Sequence, residues 1–341
     1  MTLIDNDGPA GGSADLSFAP ALPPGSAIHH AVAQPGGGAV VFSYSDAFGP
    51  LTGGFLAHRL RAGGLIDAAF TRKNLGLPGW SLIAGRTDGS FVTAKGYRAI
   101  ESYTAGGEPD PAFPRAMTNG GEDSLIILAD GSVVFSGNIV FGTTRHRLYK
   151  LRTDGSYDPD FSADQTTLSP GPPLLAADPD GTFLIHTADG NILRLLPDGR
   201  PDPGFTAITL AGTGKVVFSA GGKIVVLRAG QLRRHRADGT LDPGFAVALS
   251  GAGGILAVPR NVFADLAGRI LVVAQTGTGA ESLLFRLNDD GTPDAAFFAG
   301  RGFDIAPKGC LALPDGACLF HGDFTRYDGL PVAGMVRVLG R

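Results

Sequence analysis

One short signature, Gly-x-x-Asp-x-x-Phe, recurs seven times along the 341-residue chain and restricts its fold more than any other feature. The copies end at Phe18, Phe70, Phe113, Phe161, Phe205, Phe245 and Phe297, and successive signature aspartates lie 52, 43, 48, 44, 40 and 52 residues apart. A repeat of that length is one supersecondary unit that cannot bury its apolar face alone, so neighbouring units must stack.

Between signatures each unit reads alike. An apolar run leads to a Gly-containing turn, then a second run, then a third that enters Asp-Gly or Gly-Gly. The second runs align without gaps at 39–43, 90–94, 132–136, 182–186, 223–227, 269–273 and 317–321. They are short and rich in β-branched residues, and most follow Asp-Gly or Gly-Gly, a strong hairpin signal. No segment keeps a 3.6-residue apolar period, so almost no helix is expected. In the signature, Gly supplies a positive φ, Asp accepts backbone N–H groups, Pro after Asp (four copies) stops ladder pairing, and Phe is expected to wedge between units.

The chain starts with only the tail of a unit and finishes on Met335-Val-Arg337-Val338, which matches the third run Leu284-Phe-Arg286-Leu287. Joining the ends restores a seventh full unit. The expectation is an all-β, seven-bladed β-propeller, one domain over 1–341. Its last blade, 298–341, is completed by 1–18, so that the N-terminal segment joins the C-terminal strand and removes exposed edges.

A family resemblance now has its residues. The stretch Leu313-Pro-Asp-Gly-Ala-Cys-Leu-Phe-His-Gly-Asp-Phe-Thr-Arg-Tyr-Asp-Gly329, followed by Met335-Val-Arg-Val, resembles the delta-60 repeat (DUF5122-type) family. Its units read Pro-Asp-Gly, a β run, Gly-x-Phe-Thr-x-Tyr-x-Gly, then Arg-Leu-x-x-Asp-Gly-x-x-Asp-x-x-Phe. The resemblance covers nearly the whole chain, although the Phe-Thr-x-Tyr segment stands clearly only in the last unit. It implies a β-propeller and brings no chemistry with it.

Comparing units separates fold from function. Five residues before the turn Gly stand Arg59, Lys150, Arg194, Arg234, Arg286 and Arg337, with Ser102 the exception. This residue is read as structural, bonding turn carbonyls or the signature Asp. Cys310 and Cys318 occupy apolar slots; with a two-residue Asp315-Gly316 turn they would face opposite sides of their sheet, which argues against a disulfide. Histidines depart more. His235 sits where other units are apolar or aromatic. His186 and His321 close equivalent second strands, and a metal shared between them would have to lie in the central channel. His29-His30 precedes its first strand and could reach the channel mouth, as could Trp80.

The connection between second and third strands is long in units one, three, six and seven. On one face it carries Tyr44, Asp46, Phe48, Asp323, Phe324, Arg326 and Tyr327, an aromatic and charged mixture suited to contact. These seven, with His29, His30, Trp80 and His235, are the candidate binding residues. No catalytic or metal-ligand set and no cofactor motif is visible: there is no nucleophile elbow, zinc-binding helix motif or phosphate loop.

A net charge of −4 with 18% charged residues gives no electrostatic case for nucleic acid. No apolar run approaches the roughly 18 residues of a membrane-spanning helix. The N-terminus shows no secretory signal, which is compatible with the cytoplasm or with signal-independent export, including release in a virion. Three functions stay open: an interaction module for a protein or glycan, a structural subunit of a larger assembly such as a phage tail or surface fibre, and a metal-dependent hydrolase or lyase with an axial site.

Overall fold

The computed structural model describes residues 11–22, 27–44, 55–70, 73–74, 82–94, 99–113, 116–117, 119–141, 144–162, 176–187, 189–210, 214–251, 254–277, 282–297 and 302–340. Turn chemistry determines how each repeat pairs. In the last one, Gly316 N–H donates to Leu313 O (2.9 Å) and Leu313 N–H to Ala317 O (2.8 Å), with Gly316 at φ +82°. This is a four-residue turn with an extra left-handed Gly, and it moves the register by one residue relative to a two-residue loop. Ala312 therefore pairs with Cys318, and Cys310 with Phe320. The two thiols lie on the same sheet face, correcting the opposite-face expectation. Burial, followed by a hydrogen bond to Cys318, pushes the Cys310 thiol up, and both cysteines are free.

Among the described residues, seven antiparallel sheets of three or four strands follow one another along the chain, with one additional two-stranded hairpin. Their three common strands are Ala27–Ala33, Ala39–Tyr44 and Phe55–Leu60 in the first sheet, and Leu82–Gly85, Phe91–Ala94 and Ala99–Tyr103 in the second. The third sheet has Asn119–Ile127, Val133–Phe141 and Thr144–Leu151; the fourth has Ala176–Ala177, Phe183–His186 and Asn191–Leu195. The fifth has Lys215–Ser219, Lys223–Arg228 and Gln231–His235; the sixth Ala257–Ala264, Ile270–Thr276 and Ser282–Leu287. The seventh has Gly309–Ala312, Cys318–His321 and Met335–Val338. Two-residue fourth strands complete the first, second and fourth sheets. No α-helix occurs among the described residues; one 3-10 turn, Ala220–Gly222, links two strands of the fifth sheet. The connection expected to be a long loop in the third repeat is instead strand, because its second and third strands pair out to Phe141 and Thr144.

The signature builds the joints between sheets. After each third strand the chain turns back, so that Asp67 N–H bonds Arg59 O and Asp294 N–H bonds Arg286 O. The aspartate Oδ1 then accepts the N–H two residues on, as in Asp67–Ala69 and Asp294–Ala296. Its Oδ2 accepts Nε of the repeated arginine, at 2.9 Å from Arg59, 2.7 Å from Arg194, 2.8 Å from Arg234 and 2.7 Å from Arg286. The same guanidinium reaches the next sheet: Arg59 to Ala105 O, Arg194 to Ala237 O and Arg286 to Gly340 O. It also stacks over the signature Phe, 5.1 Å from the ring of Phe70 and 4.5 Å from that of Phe245. One residue thus ties a turn, an aromatic wedge and the adjacent sheet together, through both partners expected of it. In the second repeat Arg86 substitutes for the missing cation, donating to Ser102 Oγ, which in turn donates to Asp110.

Among the described residues, seven apolar clusters lie between neighbouring sheets, each holding or packing against a signature Phe. Phe70 joins sheets one and two, Phe113 two and three, Phe161 three and four, and Phe205 four and five. Phe245 joins five and six, and Phe297 six and seven. In the last cluster Ile28, Val41 and Leu60 of the first sheet pack on Leu313, Leu319 and Met335 of the seventh, with Phe18 against them. The segment 11–15 lies along the final strand: Gly12 N–H bonds Leu339 O, Asp15 N–H bonds Arg337 O, and Arg337 pairs with Asp15. Ala19 N–H then bonds Gly63 O of the first sheet's turn, as Ser162 bonds Asp198, Thr206 bonds Asp238 and Ala246 bonds Asp290.

Candidate functional site

Where the first and seventh sheets meet, the strand ends opposite the signature turns carry polar groups brought together from positions nearly 300 residues apart. His29 and His30 lie within the first strand, not before it. Pairing shifts between Ile28–Ser43 and His30–Phe42, which leaves His29 in a β-bulge. A bulge re-aims side chains locally. From the seventh sheet come His321, which ends the second strand opposite Gly309, and Lys308, whose N–H bonds His321 O. A Cβ on Gly309 would collide with His321 Nε2, so the ring rests on the bare glycine backbone. Lys308 Nζ donates to Asp323 Oδ1 at 2.7 Å, an exposed ion pair at the lip.

The electrostatics follow from burial. Burial lowers His321 to about 4, aided by His30, Lys308 and His29 and opposed by a hydrogen bond to the Ile28 backbone. Burial, with His29 beside it, also lowers His30 to about 4. His29 is lowered by burial and Lys308 and raised by Asp323. At neutral pH the site therefore presents uncharged imidazoles next to a Lys–Asp pair. His321 Nδ1 is buried without a protein partner. Such a set can donate to and accept from hydroxyl or amide groups. Among the described residues no three His, Cys, Asp or Glu side chains are placed to hold a metal ion.

Of the sequence candidates, the fold thus unites His29, His30 and Asp323. Arg326 is exposed on the hairpin Arg326–Tyr327 and Leu330–Pro331. Phe324 and Tyr327 belong to the core, not to a contact surface. They pack on Phe303, with ring centroids 4.9 and 4.8 Å away, and the Tyr327 hydroxyl donates to Gly12 O. Apolar burial outweighs loop exposure for these two rings, and Asp304 pins the chain between them by accepting from Thr325 and Arg326 N–H. His235 sits apart, half-buried in the fifth sheet, with Nδ1 2.9 Å from Gly239 O. Asp46, Phe48 and Trp80 lie outside the described residues; Tyr44 ends its strand, and its side chain is likewise outside them.

Sequence reasoning missed Lys308 and linked His321 with His186, whereas His321 interacts with His30 and His29. His30 pairs with Phe42 and stands level with Leu82, Ser124, Lys215 and Asn261 of other first strands, a mostly polar position that gave no warning.

Comparison with known proteins agrees with this architecture. A family model described as a domain of unknown function (DUF5122) beta-propeller matches residues 128–161 and 268–297, each running from a hairpin turn to a signature Phe. The chain carries repeats of a DUF5122-type β-propeller. No curated protein matches its sequence. Among solved structures, it is similar to the extracellular domain of a protein named as a hybrid two component system, BT3049, from B. thetaiotaomicron. That match has a TM-score of 0.52 and 11% identity, over 97% of this chain and 41% of the other. The chain therefore spans less than half of that structure's length. It is also similar to BBS1N, solved in complex with ARL6DN, with a TM-score of 0.50 and 12% identity over 95% of this chain and 97% of the other. At these identities the likeness is one of fold.

Proposed function

We propose that this β-propeller is a seven-bladed ring closed between its first and seventh sheets. We propose further that it works as a non-enzymatic interaction module, presenting the face at that seam to a protein or glycan. The observation carrying the reading is the convergence of His29, His30, His321, Lys308 and Asp323 from the two ends of the chain. Neutral imidazoles and an exposed ion pair at the lip of a rigid scaffold supply directional hydrogen bonds without a strong field, which suits sugar hydroxyls or a peptide backbone. Support for a protein partner comes from BBS1N, a chain of similar fold solved in complex with another protein.

The test is a glycan array and a peptide array probed with the full chain and with Asp323→Ala and Lys308→Ala. Binding lost in both variants and retained in Arg200→Gln, a substitution remote from the seam, supports the reading. Binding unchanged by the seam variants would move the contact elsewhere on the ring.

A further inference from the structure

A cavity with two arginines on its wall lies at the junction of the fourth and fifth sheets. In this family of repeats the third strand turns one face toward the preceding sheet. Two residues before the His235 slot that face carries His58 and Glu101 in the first two sheets, and Tyr149, Leu193, Phe285 and Val336 in four others, these last four packed into inter-sheet clusters. The fifth sheet places Arg233 there instead, flanked by Gln231 and His235. The cluster joining sheets four and five accordingly takes no residue from Gln231–His235. A cavity of about 160 Å³ stands in its place, lined by Thr209 of the fourth sheet's last strand, by Leu210 just after it, and by Arg228, Gln231, Arg233 and His235.

The charge balance of this cavity is one-sided. Arg228 and Arg233 have no hydrogen-bond or ion-pair partner among the described residues, unlike the arginines of the signature joints. No carboxylate lines the cavity. Arg233 is close enough to disfavour protonation of His235, although burial is the larger cause of that lowering. Arg233 is exposed and Arg228 half-buried, so solvent screens their mutual repulsion, and an anion entering between them gains from both charges. The planar fork of arginine matches the paired oxygens of carboxylate and phosphate. Gln231 and Thr209 add neutral hydrogen-bonding groups, and Leu210 and Val226 an apolar wall. Between Arg228 and Gln231 the strands join through Ala229 and Gly230 at φ 48° and 76°. This two-residue turn holds both arginine-bearing strands in fixed register.

We propose that this cavity binds a small oxyanion, a molecule bearing a carboxylate or phosphate group, through Arg228 and Arg233. The size of the cavity limits the ligand to about the bulk of a monosaccharide or smaller, since a water occupies roughly 30 Å³. The site lies on a different sheet junction from the His29–His321 seam and does not depend on it.

The experiment is calorimetric titration of the full chain with inorganic phosphate and, separately, with glucuronate, at constant ionic strength. Saturable binding of at least one probe is expected, and which one saturates identifies the head group. Arg233→Leu, which restores the apolar residue of the fourth repeat, and Arg228→Gln should each weaken that binding at least tenfold. Arg200→Gln, another exposed arginine lost elsewhere, should leave it within twofold. If Arg233→Leu does not fold, Arg228→Gln alone decides. No saturation by either probe, or equal losses in Arg228→Gln and Arg200→Gln, would overturn the proposal.

Discussion

The two ends of the strands in this molecule are built on opposite terms. At the turn end a basic residue, an aspartate and a phenylalanine recur, and the geometry recurs with them: Arg59, Arg194, Arg234 and Arg286 each bond their aspartate and reach into the next sheet. At the opposite end the residues differ from sheet to sheet. His321 stands level with Phe42, Ala94, Ser136 and Leu227, and His29 occupies a bulge. Repetition marks what the fold requires at every junction. Departure from it marks where a surface has been free to specialise, at the seam of sheets one and seven and at the cavity of sheets four and five.

That contrast can be broken by substitution. The largest effect is expected at the turn end. Arg234 and Asp242 are 4% and 13% exposed as side chains. Asp242→Ala leaves the buried Arg234 guanidinium with Asp289 alone and should lower the urea midpoint more than any other change considered. An unchanged midpoint would mean that the repeated pair is decoration.

Acid should act next, and at the other end. His30 and His321 are held at about 4, below the ordinary histidine value of 6.5. The folded state thus binds fewer protons than the unfolded chain, so stability is complete above about pH 6.5 and declines as pH falls toward 4. Lys308 and His29 add to the repulsion on His321. The decline should reach on the order of 2 kcal/mol for the pair. His30→Gln with His321→Gln should flatten it, and a flat wild-type profile between pH 6.5 and 4.5 would count against buried neutral imidazoles.

Smaller still is Ser102→Arg. Because Arg86 already bridges to Asp110 through Ser102, a second cation should gain less than about 1 kcal/mol. A gain as large as the Asp242 loss would show that the second joint is weak. Least of all, Arg326→Ala on the exposed hairpin should stay within about 0.5 kcal/mol in stability, so any binding defect it causes can be read directly.

The joints were legible from sequence because their partners lie eight residues apart and recur, as Arg194 with Asp202 and Arg286 with Asp294. The wedge role of Phe70 and Phe297 followed from the same repetition. Less was legible where one residue of turn geometry matters: the left-handed Gly316 shifts the hairpin and puts Cys310 and Cys318 on one face. Phe324 and Tyr327 read as loop aromatics because their core partner, Phe303, belongs to no repeated position. The neighbourhood of His30 and His321 depends on contact between the two ends of the chain, which no local pattern encodes.

Everything proposed for the seam rests on the first and last sheets meeting as firmly as internal neighbours do. A double-mutant cycle on Arg337 and Asp15 measures this most directly, with the internal pair Arg234 and Asp242 as reference. The account predicts a coupling energy for the terminal pair within about twofold of the internal one, and a common urea transition for both. Negligible coupling between Arg337 and Asp15, beside a clear value for Arg234 and Asp242, would mean an open ring and would contradict a binding face built across the seam.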